Sequence, residues 1–131
     1  MIRDEASVQP ASRGFPASRR VLRKTDFDAA YRFGRRFHDS HLSVTVHPNS
    51  LGHPRLGLAI AAKTIGNAVA RNRLRRIIRE SFRLAQSELP AADVIVGARA
   101  AARGAPAPRI RHSLAGLWKK VATTCAPSSA P

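Results

Sequence analysis

Six arginines stand within the thirteen residues of the segment RNRLRRIIRESFR, which runs from Arg71 to Arg83. The guanidinium group is planar and permanently charged, so it can donate two parallel hydrogen bonds to a phosphate or stack on a nucleobase. One acidic residue, Glu80, lies four residues after Arg76 and three before Arg83, and it can relieve only part of the repulsion. The segment therefore predicts contact with the phosphates of an external polyanion.

Apolar residues recur between these arginines at helical spacing, which predicts a helix over 67–87. On a helical wheel the apolar and small side chains share one face, formed by Ala70, Leu74, Ile77, Ile78, Ser81, Leu84 and Ala85. The opposite face carries Asn72, Arg75, Arg76, Arg79 and Arg83, with Arg71 and Arg73 at its margins. We expect Leu74, Ile77, Ile78 and Leu84 to hold this helix to a sheet, which leaves the arginines outward.

A charged helix face that only contacts solvent is the ordinary alternative. Lysine would solubilise such a face equally well, so the use of arginine alone favours phosphate binding. Gly66 and Asn67 precede the helix, and their backbone N–H groups either meet phosphate or simply belong to an ordinary N-cap.

The composition points in the same direction. The chain has 131 residues, a formal net charge of +15 and a pI near 11.9, which favours nucleic acid as the partner and an anionic membrane surface second. The single cysteine, Cys125, excludes an intrachain disulfide and fits the cytoplasm, with a secreted protein that lacks disulfides as the alternative. The N-terminal residues lack the apolar core of a signal peptide, and no apolar stretch is long enough to span a bilayer.

The elements around the basic helix predict a small α+β domain. Thr25 and Asp28 suggest a capping box that opens a helix over 25–33. The alternating segments 41–47 and 55–62 predict an antiparallel pair of strands, followed by the basic helix, a strand over 93–99 and a helix over 109–122. The predicted order is α-β-β-α-β-α, in which Phe37 either extends the first strand or adds a short one. We expect one domain over 19–124, a disordered tail over 1–18 and a flexible tail over 125–131.

The basic segment and its flanks resemble one family. RNRLRRIIRESFR is similar to the arginine-rich signature of the protein subunit of bacterial ribonuclease P, and NSLGHPRLGLAIAAK before it and ELPAADVIVGAR after it match as well. FPASRRVLRKTDF and LWKK extend the resemblance over about residues 15–122. It implies an α-β sandwich like the second domain of ribosomal protein S5, with a left-handed βαβ crossover, which is rare.

The resemblance also implies a function. In the family, a catalytic RNA carries the Mg²⁺-dependent hydrolysis that removes the 5′ leader of precursor tRNA, and the protein, which we expect to be a monomer, assists it. Carried over by position, the residues that face the catalytic RNA would be Arg71, Asn72, Arg73, Arg75, Arg76, Arg79 and, by its place on the same face, Arg83.

A cleft for the single-stranded leader is the second site that the resemblance implies, with Phe27, Tyr31, Lys63 and Thr45 as its residues. Phe27 is expected to lie partly in the core, because an aromatic pair four residues apart is usually buried, and Tyr31 is the better stacking candidate. This chain has Thr45 where some members have an aromatic, and Ala62 where many have a second lysine beside Lys63. Both departures would weaken leader contact.

Other chemistries find little support in the sequence. His38 and His41 lack the partners of a zinc set, capping explains Asp26 and Asp28, and no phosphate-binding glycine loop or nucleophile elbow occurs. A non-catalytic ribosomal or general RNA-binding protein is the alternative from another class. A DNA-binding protein ranks below it because no helix-turn-helix spacing is present, and a membrane-surface role ranks last.

Overall fold

The structure is a computed structural model that describes residue 20 and residues 23–124. Most of both predicted tails therefore lies outside the described residues. The elements are α1 (Lys24–Phe33), β1 (Arg35–His38), β2 (Leu42–Pro48), β3 (Arg55–Ala59), α2 (Ala62–Ile65), α3 (Ala68–Ala85), β4 (Ala92–Ala98) and α4 (Ala107–Thr124). Short 3-10 turns, Gln86–Glu88 and Ala100–Ala102, follow α3 and β4.

The four strands form one sheet in the order β1-β2-β4-β3. β2 is antiparallel to both β1 and β4, while β3 and β4 are parallel. The predicted antiparallel pairing of 41–47 with 55–62 is therefore wrong, because β4 lies between these two strands. The alternation of apolar and polar residues shows which face of a strand is buried, but it does not show which strand lies beside it. β4 is buried on both faces over most of its length, as expected for a central strand. Phe37 belongs to the separate short strand β1.

The crossover from β3 through α3 to β4 is left-handed. At the two ends of β4, the N–H of Arg99 donates to the carbonyl of His41, and the N–H of Asn49 donates to that of Ala91, so the odd-numbered residues of β4 turn their backbone polar groups toward β2. The chirality of L-residues then fixes on which side of β4 each neighbouring strand lies. Let β4 run upward, with the side chains of its odd-numbered residues pointing toward the viewer. In this view β2 lies to the right of β4, β3 lies to the left, and α3 lies behind the sheet. Parallel crossovers of this hand are rare.

The two faces of the sheet are covered unequally. One face carries the main core, in which Leu42, Val44, Leu56, Val94 and Val96 pack against α3 and α4 and are almost completely buried. Of the described elements only α1 packs on the other face, where Ala30 and Ile95 form a small second cluster with the half-buried Phe27. Within the part of the chain that the structure describes, α1 thus covers one part of this face and leaves another part open.

The helix starts differ from each other in their capping. Asn67 caps α3, since its side-chain Oδ1 accepts a hydrogen bond of 2.9 Å from the N–H of Ala70. The predicted capping box of α1 is wrong: the N-cap is Arg23, which makes no side-chain cap bond, and Asp28 instead pairs with Lys24 at 2.9 Å. Because α1 begins one residue before Thr25, the threonine lies inside the helix and cannot cap it.

One side chain that was expected to anchor α3 does not. Leu84 is 68% exposed, while Phe82 is completely buried and meets Trp118 of α4 edge to face at 6.0 Å. Trp118 also donates from its indole N–H to the hydroxyl of Ser81 at 2.8 Å. The buried side of α3 therefore includes Phe82 and not Leu84. The reason is that α4 packs on the Phe82 side, which a helical wheel of α3 alone does not show.

We expect Phe82→Leu to lower the free energy of unfolding by about 1–2 kcal/mol, since it removes the edge-to-face contact and leaves space in the core. Leu84→Ala, on the same helix, should change stability by less than about 0.5 kcal/mol because it is a surface substitution. Urea denaturation of both variants measures the difference. Equal losses would mean that Leu84 is also an anchor.

Candidate RNA interface

The predicted phosphate-binding residues all lie on one surface of α3. Asn72, Arg73, Arg76, Arg79 and Arg83 are exposed, and Arg71 and Arg75 are partly buried. We call these seven residues the arginine face. The buried residues of α3, Leu74, Ile77, Ile78 and Phe82, hold it against the sheet and α4, so the face is carried by a helix that is fixed from behind.

Neutral oxygen atoms orient several of these guanidinium groups. Arg71 Nε donates to the carbonyl of Gly66 at 3.2 Å, and Arg73 Nη1 donates to the carbonyl of Ala105 at 3.4 Å. Arg75 Nη1 donates to the side-chain oxygen of Asn72 at 2.9 Å. Such bonds restrict the side chains without cancelling their charge, and each guanidinium keeps further N–H donors for a ligand.

Glu80 neutralises one end of the arginine face. Its carboxylate accepts two hydrogen bonds from Arg83, the shorter of 2.6 Å, and the bond from Arg83 lowers the pKa of Glu80. Arg76, the other residue expected to gain from Glu80, has no ion-pair partner among the described residues. The uncompensated charge therefore lies toward the N-terminal and central turns of α3, and Arg83 contributes least.

A further arginine joins this cluster from outside α3. Arg20 forms an isolated parallel bridge with Leu56 at the β3 edge of the sheet. Burial lowers the pKa of Arg79, and the positive charges of Arg20 and Arg75 lower it further. Three cations that repel one another favour an external anion, since an anion would lower the energy of all of them. Arg20 is not among the residues predicted for this site, although it follows another arginine in the SRR segment.

The loops before α3 and α4 bring a second unpredicted arginine close to the helix. Gly66 has a positive φ of 112°, and a Cβ placed there would lie 3.6 Å from the guanidinium of Arg103. Lys63, on the short α2, is exposed nearby in sequence. Arg103 follows β4 by several residues, so only the tertiary fold brings it to the start of α3.

The other predicted site lies on the α1 side of the sheet. Tyr31 is 51% exposed, and burial raises the pKa of its hydroxyl despite the opposing charge of Arg36. Phe27 is half-buried against Ala30 and Ile95, as expected. On the side of α1 that carries Tyr31, the sheet surface is open and its side chains are small. Ser43, Ala59 and Gly97 form this open sheet surface, which we call the floor of the cleft.

Thr45 does not belong to the exposed surface of that cleft. It is 4% exposed and lies beneath the end of α1, where a Cβ on Gly34 would come within 3.1 Å of the Thr45 methyl group. The same Cβ would collide with the carbonyl oxygens of Ala30 and Val46, so only glycine fits at Gly34. A large side chain at position 45 has no space under the helix as it stands, and Thr45 serves packing instead of direct ligand contact.

A buried ion-pair network that the sequence did not suggest fixes α1 to the sheet. Arg55 on β3 donates two hydrogen bonds of 2.8 Å to Asp93 on β4, and its Nη2 also reaches Asp26 of α1 at 3.3 Å. Asn49 donates to the same Asp93 carboxylate at 2.9 Å. The cross-strand register places Arg55 opposite Asp93, and this register is what joins residues 38 positions apart.

The pKa values of two carboxyls predict how stability depends on pH. Burial alone would raise the pKa of Asp93, but hydrogen bonds from Arg55 and Asn49 outweigh it and hold that pKa below its ordinary value of 3.8. Asp39 behaves in the same way, with Ser113 and the N–H groups of Leu42 and His41 as donors. A carboxyl group whose pKa is lower in the folded protein than in the unfolded chain stabilises the fold. The full stabilisation is present at pH values well above the pKa of the unfolded chain, and it is lost as the pH falls through the pKa of the folded protein.

We therefore expect the free energy of unfolding to fall progressively once the pH drops below 3.8. Denaturant titrations at a series of acidic pH values measure this. Asp93→Asn and Asp39→Asn should each be less stable at neutral pH and show a shallower decline in acid. A decline as steep as that of the unmodified protein would show that the carboxyl in question does not cause it.

Comparison with known proteins decides the family. A family model described as Ribonuclease P matches residues 15–122. The ribonuclease P protein component of Methylococcus capsulatus is 40% identical over 127 residues, which cover 97% of this chain and 99% of that protein.

This chain belongs to the ribonuclease P protein family.

Solved structures of the family share the fold. The RNase P protein of Staphylococcus aureus matches with a TM-score of 0.72 at 32% identity, over 82% of this chain and 95% of that one. The Thermotoga maritima protein, solved in complex with 1-(4-fluorophenyl)-2-thiourea, matches with a TM-score of 0.71 at 28% identity, over 77% and 99%. The mixed sheet with helices on both faces is thus the family fold, as the sequence motifs indicated.

Family membership confirms the predicted function at the level of the whole enzyme. Ribonuclease P is a ribonucleoprotein endoribonuclease that acts in tRNA 5′ processing, and this chain is a protein component of it. No helix within the described residues is long and apolar enough to cross a membrane.

Proposed function

We propose that the arginine face docks the catalytic RNA of ribonuclease P, while the open sheet surface beside α1 holds the 5′ leader of precursor tRNA. The observation that carries the first half is the arginine face itself. Its guanidinium groups are oriented by neutral oxygens, and within the described chain only Arg83 of this face has a carboxylate partner. A structured RNA supplies phosphates at many positions, so several of these groups can bind at once.

The separation of the two surfaces supports different ligands for them. α3 packs on one face of the sheet and α1 on the other, so a large RNA on α3 leaves the α1 side open for a second strand. The floor of Ser43, Ala59 and Gly97 is smooth and is flanked by the exposed aromatic ring of Tyr31. Stacking on an aromatic beside a basic surface binds single strands with little dependence on sequence.

The floor also depends on glycine. A Cβ at Gly97 would approach the Ser43 hydroxyl within 2.9 Å, so any side chain there rises into the open surface. Ala59 and Gly97 lie side by side on β3 and β4, and Ser43 lies opposite Gly97 on β2. Lys63 stands just after β3 and supplies a cation for the leader backbone.

We propose that the Mg²⁺ of the reaction is held mainly through RNA, and that the hydrolytic chemistry belongs to the RNA subunit. The described residues form no group of three or more histidine, cysteine, aspartate or glutamate side chains that could hold a metal ion. The most buried carboxylate among the described residues, Asp93, has both oxygens bound by Arg55. The protein's own part is to bind and orient RNA, acting in the cytoplasm as a monomer within the holoenzyme.

Multiple-turnover cleavage of a precursor tRNA tests the proposal. The matching catalytic RNA is assayed with and without the protein at low Mg²⁺ concentration. We expect the protein to increase the rate of leader removal and to allow activity at Mg²⁺ concentrations that do not support the RNA alone. A protein that binds the RNA but leaves cleavage unchanged would contradict the proposed role.

The leader surface is tested at Tyr31. We expect Tyr31→Ala to weaken holoenzyme binding to precursor tRNA about five- to thirtyfold, in the range for loss of one base–aromatic stack, and to leave binding of mature tRNA unchanged. Tyr31→Phe should retain most of the affinity because the ring remains. Leu84→Ala removes another exposed apolar side chain, on α3, and serves as the control. Equal weakening for precursor and mature tRNA would show that Tyr31 does not contact the leader.

A further inference from the structure

A second cleft borders α1 on the flank opposite the open sheet surface. It has a volume of about 640 Å³ and lies between α1, the turn after β2 and the first residues of β3 and β4. We call it the outer cleft. Its lining includes Arg23, Asp26, Ala29, His47, Leu51 and Arg55.

The charges that line the outer cleft are balanced, unlike those of the arginine face, because Arg23 and Arg55 match Asp26 and Asp93. Arg55 bonds to both carboxylates, so each of them has an ion-pair partner. Arg32 is exposed in the last turn of α1 and adds one cation at the margin. A neutral lining with a cation at its margin favours a nucleotide whose base is inside and whose phosphates are outside.

An exposed aromatic ring stands at one end of this cleft. Phe33 is 70% exposed, an unusual position for a side chain of its size. The ring of His47, which lines the cleft, lies 6.4 Å from the Phe33 ring at an angle of 38°. The Arg32 guanidinium lies 5.5 Å from the centre of the same ring. Phenylalanine, histidine and arginine together present the flat surfaces on which unpaired bases stack.

The position of Phe33 indicates which RNA would reach it. Tyr31 and Phe33 are both in the last turn of α1 but point to opposite flanks, with the exposed Arg32 between them. A strand that leaves the open sheet surface past Tyr31 can therefore pass the end of α1 and arrive at Phe33. The arginine face is on the other side of the sheet, so the catalytic RNA docked there is not the nearer partner.

We propose that Phe33, supported by His47 and Arg32, stacks an unpaired base of the distal part of the precursor leader. This rests on the proposed function, since it extends the leader path beyond the open sheet surface and around the C-terminal end of α1. The holoenzyme would then hold long leaders at two stacking positions, one on each flank of α1. Short leaders would use only the position at Tyr31.

Leader length separates the two positions in an experiment. Holoenzyme reconstituted with the matching catalytic RNA is titrated with precursor tRNAs that carry leaders of roughly four and roughly twelve nucleotides. We expect Phe33→Ala to weaken binding of the long-leader substrate by about fivefold or more, the effect of losing one weak base–aromatic stack, and to leave the short-leader substrate unchanged. Phe33→Trp should retain binding, because an aromatic ring remains. Leu84 is similarly exposed, at 68%, and Leu84→Ala should have no effect on either substrate.

A cross-linking measurement shows the contact directly. A single 4-thiouridine placed at successive leader positions should cross-link near Phe33 only from distal positions, and Phe33→Ala should reduce that cross-link. Unchanged long-leader affinity of Phe33→Ala, or an equal loss for both leader lengths, would overturn this inference. Failure of the proposed leader site has a different result, because Tyr31→Ala would then leave the short-leader substrate unaffected.

Discussion

Reversal of charge at Arg73 and Arg76 should abolish holoenzyme assembly at low Mg²⁺ concentration while the protein stays folded. Both side chains are exposed, and neither has a carboxylate partner within the described chain, so Arg73→Glu/Arg76→Glu breaks no ion pair there. Two charge-assisted hydrogen bonds to phosphate contribute about 3–6 kcal/mol together, which corresponds to a loss of about 10²- to 10⁴-fold in affinity. Binding of the labelled catalytic RNA at several stated salt concentrations measures it.

A matched control carries the same change of net charge elsewhere. Lys119 and Lys120 are exposed on α4, so Lys119→Glu/Lys120→Glu tests whether charge alone accounts for the loss. We expect that variant to bind the RNA far better than the α3 variant. The slope of log affinity against log salt should also become shallower for the α3 variant, because fewer phosphates are contacted. Leader cleavage by the reconstituted α3 variant at the unmodified rate would refute RNA docking on α3.

Replacing Arg55 by methionine should be among the most destabilising single changes in this protein, at about 3–5 kcal/mol. The Asp93 side chain is only 6% exposed, and Arg55 provides both of the 2.8 Å bonds that compensate its charge. Removal of one partner leaves a buried charge without its counterion, which costs far more than the pair contributes net. The loss should appear in the free energy of unfolding measured by urea or guanidinium titration.

The pH dependence of that variant should be weaker. Without Arg55, burial of the Asp93 carboxyl is opposed mainly by the hydrogen bond from Asn49, so its pKa rises from the depressed value and the variant loses less stability as the pH falls into acid. Arg55→Met/Asp93→Leu should recover much of the loss, because no buried charge remains. Lys24→Ala breaks only the exposed pair with Asp28 and should leave stability unchanged. An Arg55→Met variant with the stability of the unmodified protein would show that Asp93 is well solvated.

The sequence by itself determined the three long helices, the three main strands and the arginine face, whereas it did not predict the short helix α2, which begins where a strand over 55–62 was expected. Helical spacing of apolar residues between arginines fixes which side of α3 can be buried, because charged side chains remain solvated. It therefore placed Arg73, Arg76 and Arg79 outward without knowledge of any neighbour. Motifs flanking this helix were specific enough to indicate the family, which the comparison with known proteins confirmed.

The tertiary structure alone decided how the elements meet. The alternation of apolar and polar residues in β2 and β3 would be the same for any strand order. The position of β4 between these two strands was therefore not predictable from either of them. Packing of α4 then selected Phe82 over Leu84 as the buried side chain, and packing of α1 buried Thr45. The pair of Arg55 and Asp93 depends on the register of β3 with β4, which is set by contacts between segments far apart in the chain. Periodicity within one segment carries information on exposure, whereas contact between segments depends on their packing together.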